Sequence, residues 1–216
     1  MAESFGKTEV TFTHDILLGD NKELMTDACT VLSGEGVVAR GTLVGKITVG
    51  TVSQAFAGTG NGTSTLPVKG PLAQLGDYKA RLITAAVNLG DFELIAPDGQ
   101  LVGIVKVGVA FTGSHLTGFT ISDGSTDFIV GDLFTFTVAA GSGKYEIYNA
   151  ANVNGSGNPV NIAILATAVD STSADVVSNC YTAGAFNETA LVGYVAALKS
   201  GLESRGIHIR KNLPNA

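Results

Sequence analysis

Phe134-Thr135-Phe136-Thr137-Val138 alternates apolar side chains with threonine. Four further runs precede it: Phe92-Glu93-Leu94-Ile95, Leu101-Val102-Gly103-Ile104-Val105-Lys106-Val107, Phe119-Thr120-Ile121 and Phe128-Ile129-Val130. A period of two places one set of side chains on one face of a strand, and aromatic and β-branched residues suit that pleated surface. Pro97-Asp98-Gly99, Asp123-Gly124 and Gly131-Asp132 stand between the runs and supply turn geometry. Short strands at such close spacing predict a β-sandwich or barrel-like unit.

Upstream, Thr51-Val52-Ser53-Gln54-Ala55-Phe56-Ala57-Gly58-Thr59-Gly60-Asn61-Gly62-Thr63-Ser64-Thr65 is small, polar and glycine-rich, which predicts a linker or long loop and a domain boundary. Before it, Thr30-Val31-Leu32 and the run from Val37 to Ile47 flank Ser33-Gly34-Glu35-Gly36 and predict a hairpin. Residues 1–20 are mixed and polar and read as an arm. Its one alternating piece, Glu9-Val10-Thr11-Phe12-Thr13, can pair as a strand but carries too little apolar surface to fold alone.

Downstream, Gly141-Ser142-Gly143 closes the β-rich region, and residues 152–159 form a second loop after Tyr145 to Tyr148. Val160-Asn161-Ile162-Ala163-Ile164-Leu165-Ala166 is apolar on both faces and predicts a buried strand. Leu191, Tyr194, Val195, Leu198 and Leu202 recur at spacings of three and four between Asn187-Glu188 and Arg205-Gly206, which predicts one amphipathic helix over 187–205. Ile207-His208-Ile209 predicts a short closing strand. The expected fold is therefore mainly β with one C-terminal α-helix. Its parts are an arm (1–20), a discontinuous core (21–50 and 142–216) and an inserted β domain (51–141).

The composition narrows the function classes. The 216 residues carry a formal net charge of -6, which excludes a nucleic-acid coat built on bulk positive charge. With 45% hydrophobic residues and only 15% charged ones, the chain is neither an extended disordered polymer nor a charged coiled coil. The first ten residues lack the apolar stretch of a secretory signal, and the longest apolar segment, 101–111, is about half the length of a membrane-spanning helix. In such a chain Cys29 and Cys180 read as two buried free thiols in preference to a disulfide.

No catalytic constellation emerges. His14, His115 and His208 are the only histidines, and no Gly-x-Ser-x-Gly elbow, His-Glu-x-x-His or Cys-x-x-Cys pattern accompanies them. Asp123-Gly124-Ser125-Thr126-Asp127 resembles the opening of a calcium loop, but the glycine and distal glutamate of such a loop do not follow. A β-turn with local Asp hydrogen bonds explains it better. Gly141-Ser142-Gly143-Lys144 fails as a phosphate loop, because Val138 replaces the first glycine and Tyr145 the magnesium-binding hydroxyl. The expectation is a non-enzyme without metal or cofactor.

The order of segments is more telling than any single motif. Gly41-Thr42-Leu43-Val44-Gly45-Lys46 carries a Gly-Thr-Leu-x-Gly-Lys pattern, Ile164 to Asp170 an Ile-Leu-x-x-x-x-Asp pattern, and Arg205-Gly206-Ile207 an Arg-Gly-Ile pattern. In that order they resemble the bacteriophage head decoration proteins typified by the lambda head decoration protein. The resemblance covers roughly residues 1–50 and 142–216, and 51–141 then reads as a second β domain inserted into a surface loop, which loop-closure entropy tolerates.

The resemblance implies a homotrimer on the outer surface of the expanded phage head, made in the host cytoplasm. Such a trimer contacts the major capsid protein and holds the shell against the pressure of packaged DNA, without binding nucleic acid directly or entering a membrane. It makes the arm the capsid-binding element, with Glu9, Val10, Thr11, Phe12, Thr13 and His14 as the candidate contacts. A second reading makes the inserted domain a capsid-exposed module for a host-surface glycan or protein, with Tyr78, Tyr145 and Tyr148 available to stack on sugars.

Overall fold

The computed structural model describes residues 15, 17–19 and 23–211. In chain order the strands begin with β1 (Met25–Val31), β2 (Val37–Val38), β3 (Leu43–Lys46), β4 (Val49–Ala57), β5 (Thr63–Ser64) and β6 (Val68–Lys69). Next come β7 (Gly76–Ala86), β8 (Leu89–Ile95), β9 (Leu101–Lys106), β10 (Leu116–Thr117), β11 (Ile121–Ser122) and β12 (Leu133–Ala140). The chain closes with β13 (Tyr145–Ile147), β14 (Ile162–Leu165), β15 (Val169–Asp170), β16 (Val176–Asn187), the short helix α1 (Lys199–Glu203) and β17 (Ile207–Arg210). The protein is thus mostly β with one short C-terminal helix.

Two bodies of sheet organise these strands. In the first, the order β1-β13-β3-β14-β16 returns on itself through a β1–β16 pairing, so five strands close a small barrel, and β17 adds to the far end of β16. Strands β3 and β14 are buried on both faces, which is why 162–165 reads as unbroken apolar sequence. On one side, Val44, Ala163 and Leu165 join Cys29, Val31, Val38 and Cys180. On the other, Leu43, Ile162 and Ile164 join Leu17, Phe186, Leu202 and Ile207.

In the second body, β4-β12-β7-β8-β9 form an antiparallel five-stranded sheet. Along β7, Tyr78, Ala80 and Leu82 face inward between exposed Asp77, Lys79 and Arg81, an alternation of the kind that specifies one buried face. The two ribbons β5–β11 and β6–β10 belong to the layer that covers this face. Between them lies a core that includes Phe56, Phe92, Phe128 and Phe134, with ring centroids 4.7 to 5.8 Å apart in tilted and edge-on pairs. All the residues of this core fall between Val49 and Val138.

Several expectations are corrected. The segment 51–65 is not a linker: its first half, 51–57, belongs to the nine-residue strand β4. Because β3 pairs with β13 while β4 pairs with β12, one two-stranded ribbon runs from the barrel into the second sheet. At the crossing, Ile47 N–H donates to Lys144 O (2.8 Å), Gly141 N–H to Thr48 O (2.9 Å), and the Thr48 and Val49 N–H groups both to Asn154 O (3.0 Å). A Cβ at Gly141 would lie 2.5 Å from Ile47 O, so this approach requires glycine there.

The hairpin over 30–47 is also absent. Strand β1 pairs with β16 through seven residues, β2 with β15, and β3 with β13 and β14. The turn at 33–36 is fastened to a distant loop instead, with Ser33 N–H donating to Asp175 Oδ1 (2.9 Å) and Gly34 N–H to Ser171 O (2.7 Å). Closing a barrel takes partners from far along the chain, so sequence neighbours separate.

The helix over 187–205 shrinks to five residues preceded by two turns of 3₁₀ helix, Glu188–Ala190 and Ala196–Leu198. Val192 is the reason. Its N–H donates to Gly41 O and its carbonyl accepts from Leu43 N–H, a strand-like bridge that helical backbone cannot make. Leu191, Tyr194, Leu198 and Leu202 nevertheless pack into one core, while Val195 is exposed. Phe128-Ile129-Val130 is likewise no strand: Phe128 is buried, and its two neighbours face solvent.

Cys29 and Cys180 are joined in a disulfide, with Cα atoms 5.9 Å apart, and are not free thiols. The register sets Cys29 opposite Ser178 and Asp27 opposite Cys180, so the two cysteines are diagonal neighbours buried in the barrel core. A cross-link spanning 151 residues lowers the chain entropy of the unfolded state by an amount worth about 5 kcal/mol at 25 °C.

Asp132 closes the second body. Its carboxylate accepts from the backbone N–H groups of Thr59 (2.9 Å), Gly60 (3.0 Å) and Ile129 (3.1 Å), tying the β4–β5 loop to the turn before β12. Burial pushes this carboxyl upward, but the three donors outweigh it and hold it below its ordinary value. A lowered carboxyl contributes stability above the usual carboxylate range and loses it as pH falls through the folded value. Asp132→Ala is expected to cost about 3 kcal/mol at neutral pH. The gap to wild type should narrow below about pH 4, and urea unfolding across pH reads both. A second expectation follows from the separate core: replacing 52–140 with a short Gly-Ser turn should leave a soluble remainder with a cooperative unfolding transition. An aggregated or uncooperative product would show that both bodies need one shared core.

Candidate functional site

The candidate contacts Glu9, Val10, Thr11, Phe12, Thr13 and His14 lie outside the described residues. What the structure places is the point from which they depart. Gly19 N–H donates to Ala185 O (2.9 Å) and Asn187 N–H to Leu17 O, so residues 17–19 lie antiparallel to the end of β16 with Leu17 buried. Just before them, Arg40 grips Asp15 through Nη1 and Nη2, at 2.8 and 2.5 Å, while its Nε donates to Ala166 O. Both side chains remain more than a third exposed, so the ion pair is worth at most about 1 kcal/mol and serves mainly to set direction.

The three sequence patterns converge beside this point. In the first, Gly41 N–H donates to Leu165 O (2.8 Å), Leu165 N–H to Thr42 O (2.9 Å), and Leu43 N–H to Val192 O (2.9 Å). Gly41 has φ +84°, and a Cβ there would lie 2.8 Å from Ala190 O, so both backbone and space demand glycine. In the third, Arg205 Nη1 donates to Ile162 O (2.7 Å) and Gly206 O accepts from Gly184 N–H (3.0 Å). The middle pattern supplies the end of β14, with Ile164 and Leu165 fully buried, and β15. The first and third patterns, far apart in sequence, thus both bond to β14.

Other candidates prove to be structural. A cleft of about 560 Å³ is lined by Glu35, Glu146, Tyr148 and Val195, among others. Both acids already accept hydrogen bonds there, Glu35 from Ile147 N–H (2.9 Å) and Glu146 from Asn152, Asn154 (2.9 Å) and Ser156. The turn at 123–127 is held from outside and not by its own aspartates: Asn61 accepts from Thr126 N–H and donates to Ser125 Oγ, both at 2.8 Å. Tyr78 is fully buried with its hydroxyl against Gln74 N–H and His115, so it cannot stack on a sugar. Tyr145 and Tyr148 are half-buried against the barrel cores. Among the described residues no three histidine, cysteine or acidic side chains gather as a metal site.

A barrel whose rim receives residues 17–19, joined by a paired ribbon to a second sheet, defines a β-rich protein. Comparison with known families matches residues 6–205 to bacteriophage lambda head decoration protein D, and the chain belongs to that family. The match spans 51–141 as well as both flanks. No curated protein and no solved structure matches.

If the convergence at Gly41 holds the barrel, Gly41→Ala should lower stability by about 3 kcal/mol, since it combines left-handed backbone with a clash against a carbonyl. Gly34→Ala, at φ +96° with nothing within 4 Å of the added Cβ, should cost only about 1 kcal/mol. Urea midpoints compare the two, and equal losses would remove the special role given to Gly41.

Proposed function

We propose that this protein is a cement protein of the phage head, which binds the outer surface of the expanded shell as homotrimers and braces it against internal DNA pressure. The observation that carries the reading is the family match over 6–205, which supports a capsid-decoration role on the virion. The major capsid protein is the partner. Assembly takes place in the host cytoplasm, and the protein touches neither nucleic acid nor membrane. Net charge -6 suits an exterior position better than a DNA-filled lumen, where like charges repel. Among the described residues no helix is long and apolar enough to cross a membrane.

Attachment is assigned to the arm. Its root is pinned at Asp15 and Leu17. The alternation in Glu9-Val10-Thr11-Phe12-Thr13 suits addition of a strand to a capsid-protein sheet, where backbone hydrogen bonds supply affinity that two apolar side chains cannot. Three arms per trimer compensate for the ordering cost through multivalency. Exposed Met25, Val37, Val177 and Val192 on the barrel body offer apolar surface for the trimer contact.

Removing residues 1–14 should leave the thermal transition and the trimeric mass by light scattering unchanged, and should abolish most co-sedimentation with undecorated expanded shells. Full binding by the truncated protein would move attachment elsewhere on the subunit. A monomeric mass for the intact chain at every concentration would count against the trimer.

A further inference from the structure

The five-stranded sheet has two edges, and they differ. Strand β9 is six residues long, is bulged against β8 where Ile95 follows Leu94, ends in Lys106, and has the Phe111 ring beside Gly103. Bulges, edge lysines and covering side chains are the usual devices that keep a sheet edge from pairing with another chain. Strand β4 is bulged against β12 only at its start, between Val49 and Val52, where Lys69 Nζ donates to Val49 O, and has none of these devices along 52–57. It pairs only with β12, keeps unbroken register from Val52 to Ala57, and contains no charged residue or proline. Thr51, Ser53, Gln54, Ala55 and Ala57 are exposed.

The sequence of this edge is complementary to itself. Turned antiparallel about Gln54, Thr51 falls opposite Ala57, Val52 opposite Phe56 and Ser53 opposite Ala55, with Gln54 facing Gln54. The even-numbered residues all lie on the core side, where Val52 and Phe56 pack against the second body and Gln54 Nε2 donates to Ser64 O. Inner face therefore meets inner face, as continuation of a sheet requires. A groove of about 180 Å³ lined by Gln54, Phe56, Ser64 and Phe134, among others, lies beside the same edge. Like charges, which oppose most self-pairings, are absent.

We propose that β4 pairs antiparallel with β4 of a second copy about a twofold axis through Gln54, making one ten-stranded sheet from two five-stranded ones. The pairing stands on the strand itself, and only its setting rests on the decoration reading. On a shell, a twofold contact between inserts joins neighbouring trimers, whose threefold contacts lie elsewhere. One strand pair is smaller than the roughly 1,200 Å² of a standard stable interface. It is therefore a weak contact in free protein and a strong one where many copies are held side by side.

Single-cysteine variants test it on the purified full-length protein, without shells, using a short bismaleimide. Gln54→Cys should form covalent dimers at least about tenfold faster than Lys79→Cys, an exposed control two strands away. Adding Ala55→Lys, on the solvent side of the edge, to Gln54→Cys should return the rate to that of the control. Circular dichroism confirms that each variant is folded. Equal rates for Gln54→Cys and Lys79→Cys, or no effect of Ala55→Lys, would overturn the pairing. Neither result bears on shell binding by the arm, so failure here and failure of the decoration reading are separable.

Discussion

The barrel depends on the short backbone exchange around Gly41. Within three residues the chain bonds to β14 on one side through Leu165 and to the C-terminal segment on the other through Val192, while Arg40 beside it holds Asp15. Each partner comes from a different part of the sequence, and each is fixed by main-chain groups that would otherwise be buried without hydrogen bonds. Any side chain at position 41 would push Ala190 away and open this junction. Leu43 and Val44 then send one side chain into each of the two cores that flank the barrel wall, so the same few residues set both the hydrogen bonding and the packing.

The barrel is joined to the second sheet by paired strands. The ribbon formed by β3–β4 and β12–β13 passes from one sheet to the other without a flexible joint, and its crossing is secured by four backbone hydrogen bonds. The second sheet buries its own aromatic core and is locked at its loops by Asp132. The protein thus carries two sheet bodies, a barrel that holds residues 17–19 at its rim and a second sheet whose β4 edge pairs only with β12.

Much of the β character was legible because alternation is local. The runs at 92–95, 101–107 and 134–138 became β8, β9 and β12, the doubly apolar run became β14, and Ile207-His208-Ile209 became β17. The clear alternation of Tyr78, Ala80 and Leu82 marked β7 and was overlooked, as was the β-branched and aromatic content of 176–187 that forms the longest strand. Glycine and serine around 51–65 read as a linker, because composition does not distinguish a flexible segment from one whose small side chains let backbones approach. The spacing of Leu191, Tyr194, Leu198 and Leu202 did mark a buried face, but helix and bent irregular chain can bury the same residues.

By itself the sequence determined the class of fold, the position of most strands in the second sheet, and the family, since each rests on local periodicity or on short patterns in a fixed order. Tertiary structure alone decided the pairing. That Cys29 meets Cys180, that Val192 bridges to Gly41 and so stops a helix, and that β1 leaves its sequence neighbour for β16 all follow from closing a barrel. Such pairings join residues up to 158 positions apart, as Met25 and Ala183 are. Nothing in a local stretch of chain records which distant strand will supply its missing hydrogen bonds, and only the closed sheet settles it.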